Sequence, residues 1–117
     1  MPRHSFRAAL ALSAAFSLSW PVSAPAQTGE LLTFAVVARD GRLQPNRLEV
    51  PAGTKIKLTL KNEGRSPVEF ENLDLRVEKV LAPGGASFVV IHPLQPGRYR
   101  FIDEFHPDTA EMLLIAK

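Results

Sequence analysis

The stretch Val50-Pro51-Ala52-Gly53-Thr54-Lys55-Ile56-Lys57-Leu58-Thr59-Leu60-Lys61-Asn62-Glu63-Gly64 decides the fold. Between the turn signals Pro51-Ala52-Gly53 and Asn62-Glu63-Gly64, polar and apolar residues alternate without a break from Thr54 to Lys61. A period of two puts successive side chains on opposite faces of an extended chain. Ile56, Leu58 and Leu60 are therefore expected in a core, and Lys55, Lys57, Thr59 and Lys61 in water.

Outward from this strand, turn signals recur at short intervals: Asp40-Gly41, Pro45-Asn46, Pro83-Gly84-Gly85, Pro96-Gly97 and His106-Pro107-Asp108. They bound further strand-length runs at Leu31–Arg39, Val68–Asn72, Arg76–Leu81, Ala86–Ile91, Arg98–Asp103 and Glu111–Ala116. No run holds a sustained 3.6-residue apolar period, and only Leu73–Val77 suggests a helical turn. Seven or eight short strands in about 90 residues predict an all-β, antiparallel sandwich or barrel with Greek-key connections. The single tyrosine, Tyr99, follows the Pro96-Gly97 turn as in a tyrosine corner, whose hydroxyl bonds a nearby backbone group.

The N-terminal segment follows another logic. Arg3 and Arg7 carry its only strong charges, Ala8–Trp20 is apolar and small, and Ala24-Pro25-Ala26 supplies the small residues of a cleavage site. Residues 1–26 are expected to be a secretory signal peptide cut after Ala26, leaving Gln27–Lys117 as a single periplasmic domain. Ala8–Trp20 is too short for a bilayer span, which needs about 20 residues, so the mature domain is not expected to be membrane-embedded.

Composition narrows the function. A chain of 117 residues has room for one core. Its fourteen basic residues lose Arg3 and Arg7 with the signal, leaving twelve against twelve acids, so a nucleic-acid partner is not expected. The absence of cysteine removes thiolate nucleophiles, redox pairs, iron–sulfur ligation and blue copper. Ser66 and Ser87 lie in no nucleophile elbow, and no phosphate-cradling loop or H-E-x-x-H helix occurs. Asp103 and Glu104, adjacent on a strand end, point to opposite faces and do not suggest a glycosidase pair. The expectation is a protein that is not an enzyme.

Two segments carry a resemblance. Val50-Pro51-Ala52-Gly53-Thr54, then an alternating strand and Asn62, together with the turn Pro96-Gly97-Arg98-Tyr99 opening the penultimate strand, resemble the cupredoxins, small copper-binding Greek-key sandwiches. That likeness covers roughly Thr33 to Lys117 and implies a cupredoxin-like Greek-key β-sandwich of about seven or eight strands. Glu69-Phe70-Glu71, Val77-Glu78-Lys79-Val80-Leu81 and Phe101-Ile102-Asp103-Glu104-Phe105-His106 resemble more closely the EfeO-type cupredoxin-like domains associated with bacterial periplasmic iron uptake.

By this resemblance Asp103 takes the place of the cysteine ligand, His106 that of a histidine ligand, and Glu69 that of the other histidine. Type 1 copper is excluded by chemistry, since it needs a thiolate. Glu69 and Glu71 share a strand face. If one end of the sandwich gathers them with Asp103 and His106, the four form an oxygen-rich metal site, with Glu78 and Glu104 as possible neighbours. Crowded carboxylates repel one another and a cation relieves the repulsion. Carboxylates with one imidazole suit iron, manganese or Cu(II). Arg65, Arg76, Lys79 and Arg100 are available to pair with these acids instead. His92, before Pro93, is expected in a loop, and Met112 in the core.

What the resemblance implies for function is non-catalytic handling of iron or Cu(II), with a membrane metal-uptake permease or a periplasmic protein as partner. Two alternatives stay open: a structural or interaction module with a degenerate metal site, and a small redox accessory with non-blue copper.

Overall fold

The computed structural model describes residues 2–5, 11, 13–20 and 31–117. The expected cleavage point after Ala26 lies outside the described residues.

From Leu32 the chain forms nine strands: β1 Leu32–Arg39, β2 Arg42–Gln44, β3 Arg47–Val50, β4 Ile56–Asn62, β5 Val68–Asn72, β6 Val77–Leu81, β7 Ala86–Ile91, β8 Gly97–Asp103 and β9 Glu111–Ala116. They build two sheets, ordered β2-β1-β4-β7 and β3-β9-β8-β5-β6. The alternating strand behaves as its pattern requires: Ile56, Leu58 and Leu60 are buried, while Lys57, Thr59 and Lys61 take the outer face.

One detail differs from expectation. The segment around Pro45-Asn46 holds two very short strands, β2 in one sheet and β3 in the other, because the chain changes sheets at that turn. As a result the sheets are mixed rather than purely antiparallel. β1 pairs β4 in parallel and β3 pairs β9 in parallel, and every other pairing is antiparallel. The turn expected around Leu73–Val77 is present over residues 73–76, with Val77 opening β6. Its Arg76 N–H donates to Leu73 O at 3.0 Å, and Arg76 itself sits at φ 56°, which stops any helical continuation.

Inward-facing residues of both sheets meet in one core. Phe70 and Phe101 stack with ring centroids 5.0 Å apart, and Leu58, Met112 and Leu114 are fully enclosed. Tyr99 forms the expected corner: its hydroxyl donates to Gln95 O at 2.7 Å. Asn62, wholly buried at the end of β4, donates through Nδ2 to Ser66 O and Leu81 O and accepts from the Gly64 N–H. This fixes the turn that delivers the chain to β5.

Candidate metal centre

β5 carries the site because its two faces differ. Val68 and Phe70 point into the core, so alternation sends Glu69 and Glu71 to the outer face of the five-stranded sheet. Glu78 on β6 stands directly opposite Glu71, and Val80 opposite Glu69. The Glu104 N–H donates to Glu69 O at 2.8 Å, which sets Glu104 beside Glu69 just beyond the end of β8. One carboxylate oxygen from each of Glu69, Glu71 and Glu78 lies within 4.8 Å of the others.

Among the described residues no lysine or arginine lies within 4.0 Å of the carboxylates of Glu69, Glu71, Glu78 or Glu104; Arg100, on the same sheet face, pairs with Glu111 instead. A groove of about 540 Å³ runs from Glu71 past Ile102 to Arg98 and Arg100. Glu71 is only 6% exposed, and its carboxylate faces other carboxylates. Burial, a hydrogen bond shared with Glu104, and the charges of Glu104, Glu69 and Glu78 push its pKa up to about 7. Glu69 is raised as well, first by a hydrogen bond shared with Glu78, then by burial and the charges of Glu78, Glu104 and Asp103.

Asp103 and His106 sit elsewhere. Asp103 stands opposite Phe70 and Ile102 opposite Glu71, so the Asp103 side chain lies on the inner face, 1% exposed. Its Oδ1 accepts the Glu69 and Phe105 N–H groups, each at 3.0 Å, and its Oδ2 is 2.7 Å from His106 Nδ1. The four expected ligands therefore form two groups: Glu69 and Glu71 converge outside with Glu78 and Glu104, while Asp103 and His106 bond to each other within the sandwich end. Glu78 and Glu104 are the better partners of Glu71, and the cross-strand register that reveals this is invisible in the sequence. His92 follows β7 at the end where Ile91 meets Ile56, opposite to the end where Asn62 leads toward Glu69. Met112 is a core residue.

These two sheets, the tyrosine corner and the β8–β9 loop define a cupredoxin-like sandwich. The chain belongs to that family: the model of the Cupredoxin-like domain matches residues 8–116. It is 36% identical over 85 residues to the uncharacterized protein RP394 of Rickettsia prowazekii (strain Madrid E), covering 73% of this chain and 68% of that one. Among solved structures it resembles dithionite-reduced auracyanin from Roseiflexus castenholzii, with a TM-score of 0.61 at 16% identity, covering 76% of this chain and 99% of that one. It also resembles the metal-binding domain of the Cu(I)-exporting P-type ATPase CopA of Streptococcus pneumoniae D39, with a TM-score of 0.61 at 12% identity over 73% and 84% of the two chains. At these identities the structural likeness establishes the fold. The residues present do not fit type 1 copper: the chain has no cysteine, and Asp103, which the resemblance puts in its place, has both oxygens engaged. Among the described residues no helix is long and apolar enough to cross a membrane.

Proposed function

We propose that this protein is an exported metal-binding member of the cupredoxin-like family, holding a hard or borderline cation on the outer face of its larger sheet. Glu69, Glu71 and Glu78 are the ligands, with Glu104 at the edge. The observation that carries this reading is Glu71, more than nine-tenths buried, facing three other carboxylates with no cationic partner. An isolated cluster of this kind is costly unless protonated or bound to a cation. An all-oxygen set suits Fe(III), Mn(II) or Cu(II) and disfavours Cu(I).

An export leader in residues 1–26 supports a periplasmic location. The short likenesses at Glu69-Phe70-Glu71 and Phe101–His106 support an EfeO-type role, in which the ion passes to a metal-uptake permease or a periplasmic partner without catalysis. Calorimetric titration with Mn(II), Cu(II) and chelated Fe(III) tests the site. Saturable one-to-one binding lost in Glu71→Gln is the expected result.

One observation favours a second reading, an interaction module whose metal site has degenerated. Asp103, which the resemblance puts in the place of the cysteine ligand, has both oxygens engaged by protein groups. Absence of binding for all three ions selects that reading.

A further inference from the structure

We infer that Asp103 and His106 are positioning residues, a buried clamp that sets the approach of Glu69 to Glu104; the inference rests on the carboxylate site proposed above. Glu69 belongs to β5 and Glu104 to the loop after β8, and the β5–β8 ladder ends at Phe70 opposite Asp103. Beyond that pair a single backbone bond, Glu104 N–H to Glu69 O at 2.8 Å, is all that links the two chains directly.

Asp103 takes over there. Its Oδ1 receives the Glu69 N–H from one chain and the Phe105 N–H from the other, so a single oxygen ties both backbones together. The direct bond from Glu104 N–H to Glu69 O lies between these two. On its own, one carboxylate oxygen on a pivoting side chain would hold neither backbone in place. His106 removes the pivot: its Nδ1 engages Oδ2 at 2.7 Å, and its own N–H returns to Asp103 O at 2.9 Å.

His106 is braced in turn. Ala110 N–H donates to His106 O and Asp103 N–H to Ala110 O, closing the loop. Gly41, at φ 83°, packs beneath the ring; a Cβ there would come 3.4 Å from His106 Cδ2 and 3.0 Å from Thr109 Oγ1. A histidine that gives its Nδ1 to a fixed carboxylate has only Nε2 left for any ligand, and here the side-chain bonds from the pair to backbone run to the Glu69 and Phe105 amides, beside the candidate ligands. Outer groups that orient ligands typically alter metal affinity by about 10–100-fold when removed.

The test uses His106, one-third exposed, so that the fold survives substitution. His106→Ala is expected to weaken Mn(II) binding by about 10–100-fold. His106→Asn, whose side-chain N–H can reach Asp103, is expected to restore most of it, which loss of packing alone would not allow. Cu(II) bound to the unaltered protein should show no imidazole nitrogen coupling in electron paramagnetic resonance. Without added metal, the Glu69 and Phe105 amides should exchange with deuterium faster in His106→Ala, recover in His106→Asn, and leave the Leu58 amide unchanged. Wild-type affinity and exchange in His106→Ala overturn the inference, and so does a nitrogen coupling that disappears in His106→Asn, which would make His106 a ligand. Glu71→Gln separates the two claims: undiminished Mn(II) binding in that variant overturns the site itself, and amide exchange at Glu69 and Phe105 then decides the clamp alone.

Discussion

The two faces of the β5–β8 pair lie one strand thickness apart and solve opposite problems. On the inner face Phe70 and Phe101 stack, and the one buried charge beside them, Asp103, receives three hydrogen bonds. On the outer face Glu69, Glu71 and Glu78 crowd together and receive none from a cation. The inner acid is structure because both of its oxygens are engaged by protein groups. The outer acids work against the fold, since acids directly opposite on neighbouring strands, as Glu71 and Glu78 are, repel when ionised. It is on acids that cost stability without a structural use that the proposed site rests.

The largest effect belongs to the inner face. Phe101 is fully enclosed, and Phe101→Ala should remove about 3–5 kcal/mol of stability through lost burial and an unfilled cavity. Urea unfolding at pH 5.5 measures it. Glu71→Gln, its counterpart on the outer face, should act in the opposite sense and raise the midpoint of the metal-free protein. If both substitutions destabilise, the division between the faces fails.

The pH dependence sharpens the same contrast. With a folded-state pKa near 7, Glu71 keeps its proton in the folded chain where the unfolded chain, at an ordinary value near 4.5, has lost it. Between those values the folded state binds more protons, so stability falls as pH rises. The contribution is complete below the unfolded value and gone above about 7, and the raised pKa of Glu69 adds in the same direction. Thermal midpoints without metal should therefore decline from pH 5 to pH 8, and Glu71→Gln should flatten the decline. On the proposed site, saturating Mn(II) should reverse it, because a cation held there would favour the ionised carboxylates. A midpoint independent of pH in the wild type would show that the outer acids do not interact.

How much of this was legible in the sequence varies by residue. Ile56, Leu58 and Leu60 announced their face because a period of two admits one assignment. Tyr99 announced its corner because the preceding Pro-Gly turn leaves its hydroxyl few partners. Strands β2 and β3 were hidden, since three or four residues between turn signals show no period. The site was half legible. Glu69 and Glu71 share a face by spacing alone, but Glu78 meets Glu71 through cross-strand register, which sequence leaves open. Asp103 and His106 resembled ligands by position, and only the backbone shows the Glu69 and Phe105 amides already claiming the acid.

The smallest effect tests whether the comparison is local to β5 and β8 or extends along the sheet. Tyr99 lies on β8 four residues before Asp103 and, like it, ties a side-chain oxygen to backbone, donating to Gln95 O at 2.7 Å. Tyr99→Phe keeps the ring and removes the hydroxyl, so the loss should be about 1 kcal/mol, the net value of one hydrogen bond. Because the Tyr99 ring packs against the core, on the face of β8 away from the carboxylates, Mn(II) affinity should not change. Urea unfolding and calorimetry on the same variant read the two quantities separately. A loss of affinity comparable to that of His106→Ala would mean that the whole of β8 positions the site, and that the clamp at Asp103 is only its nearest part.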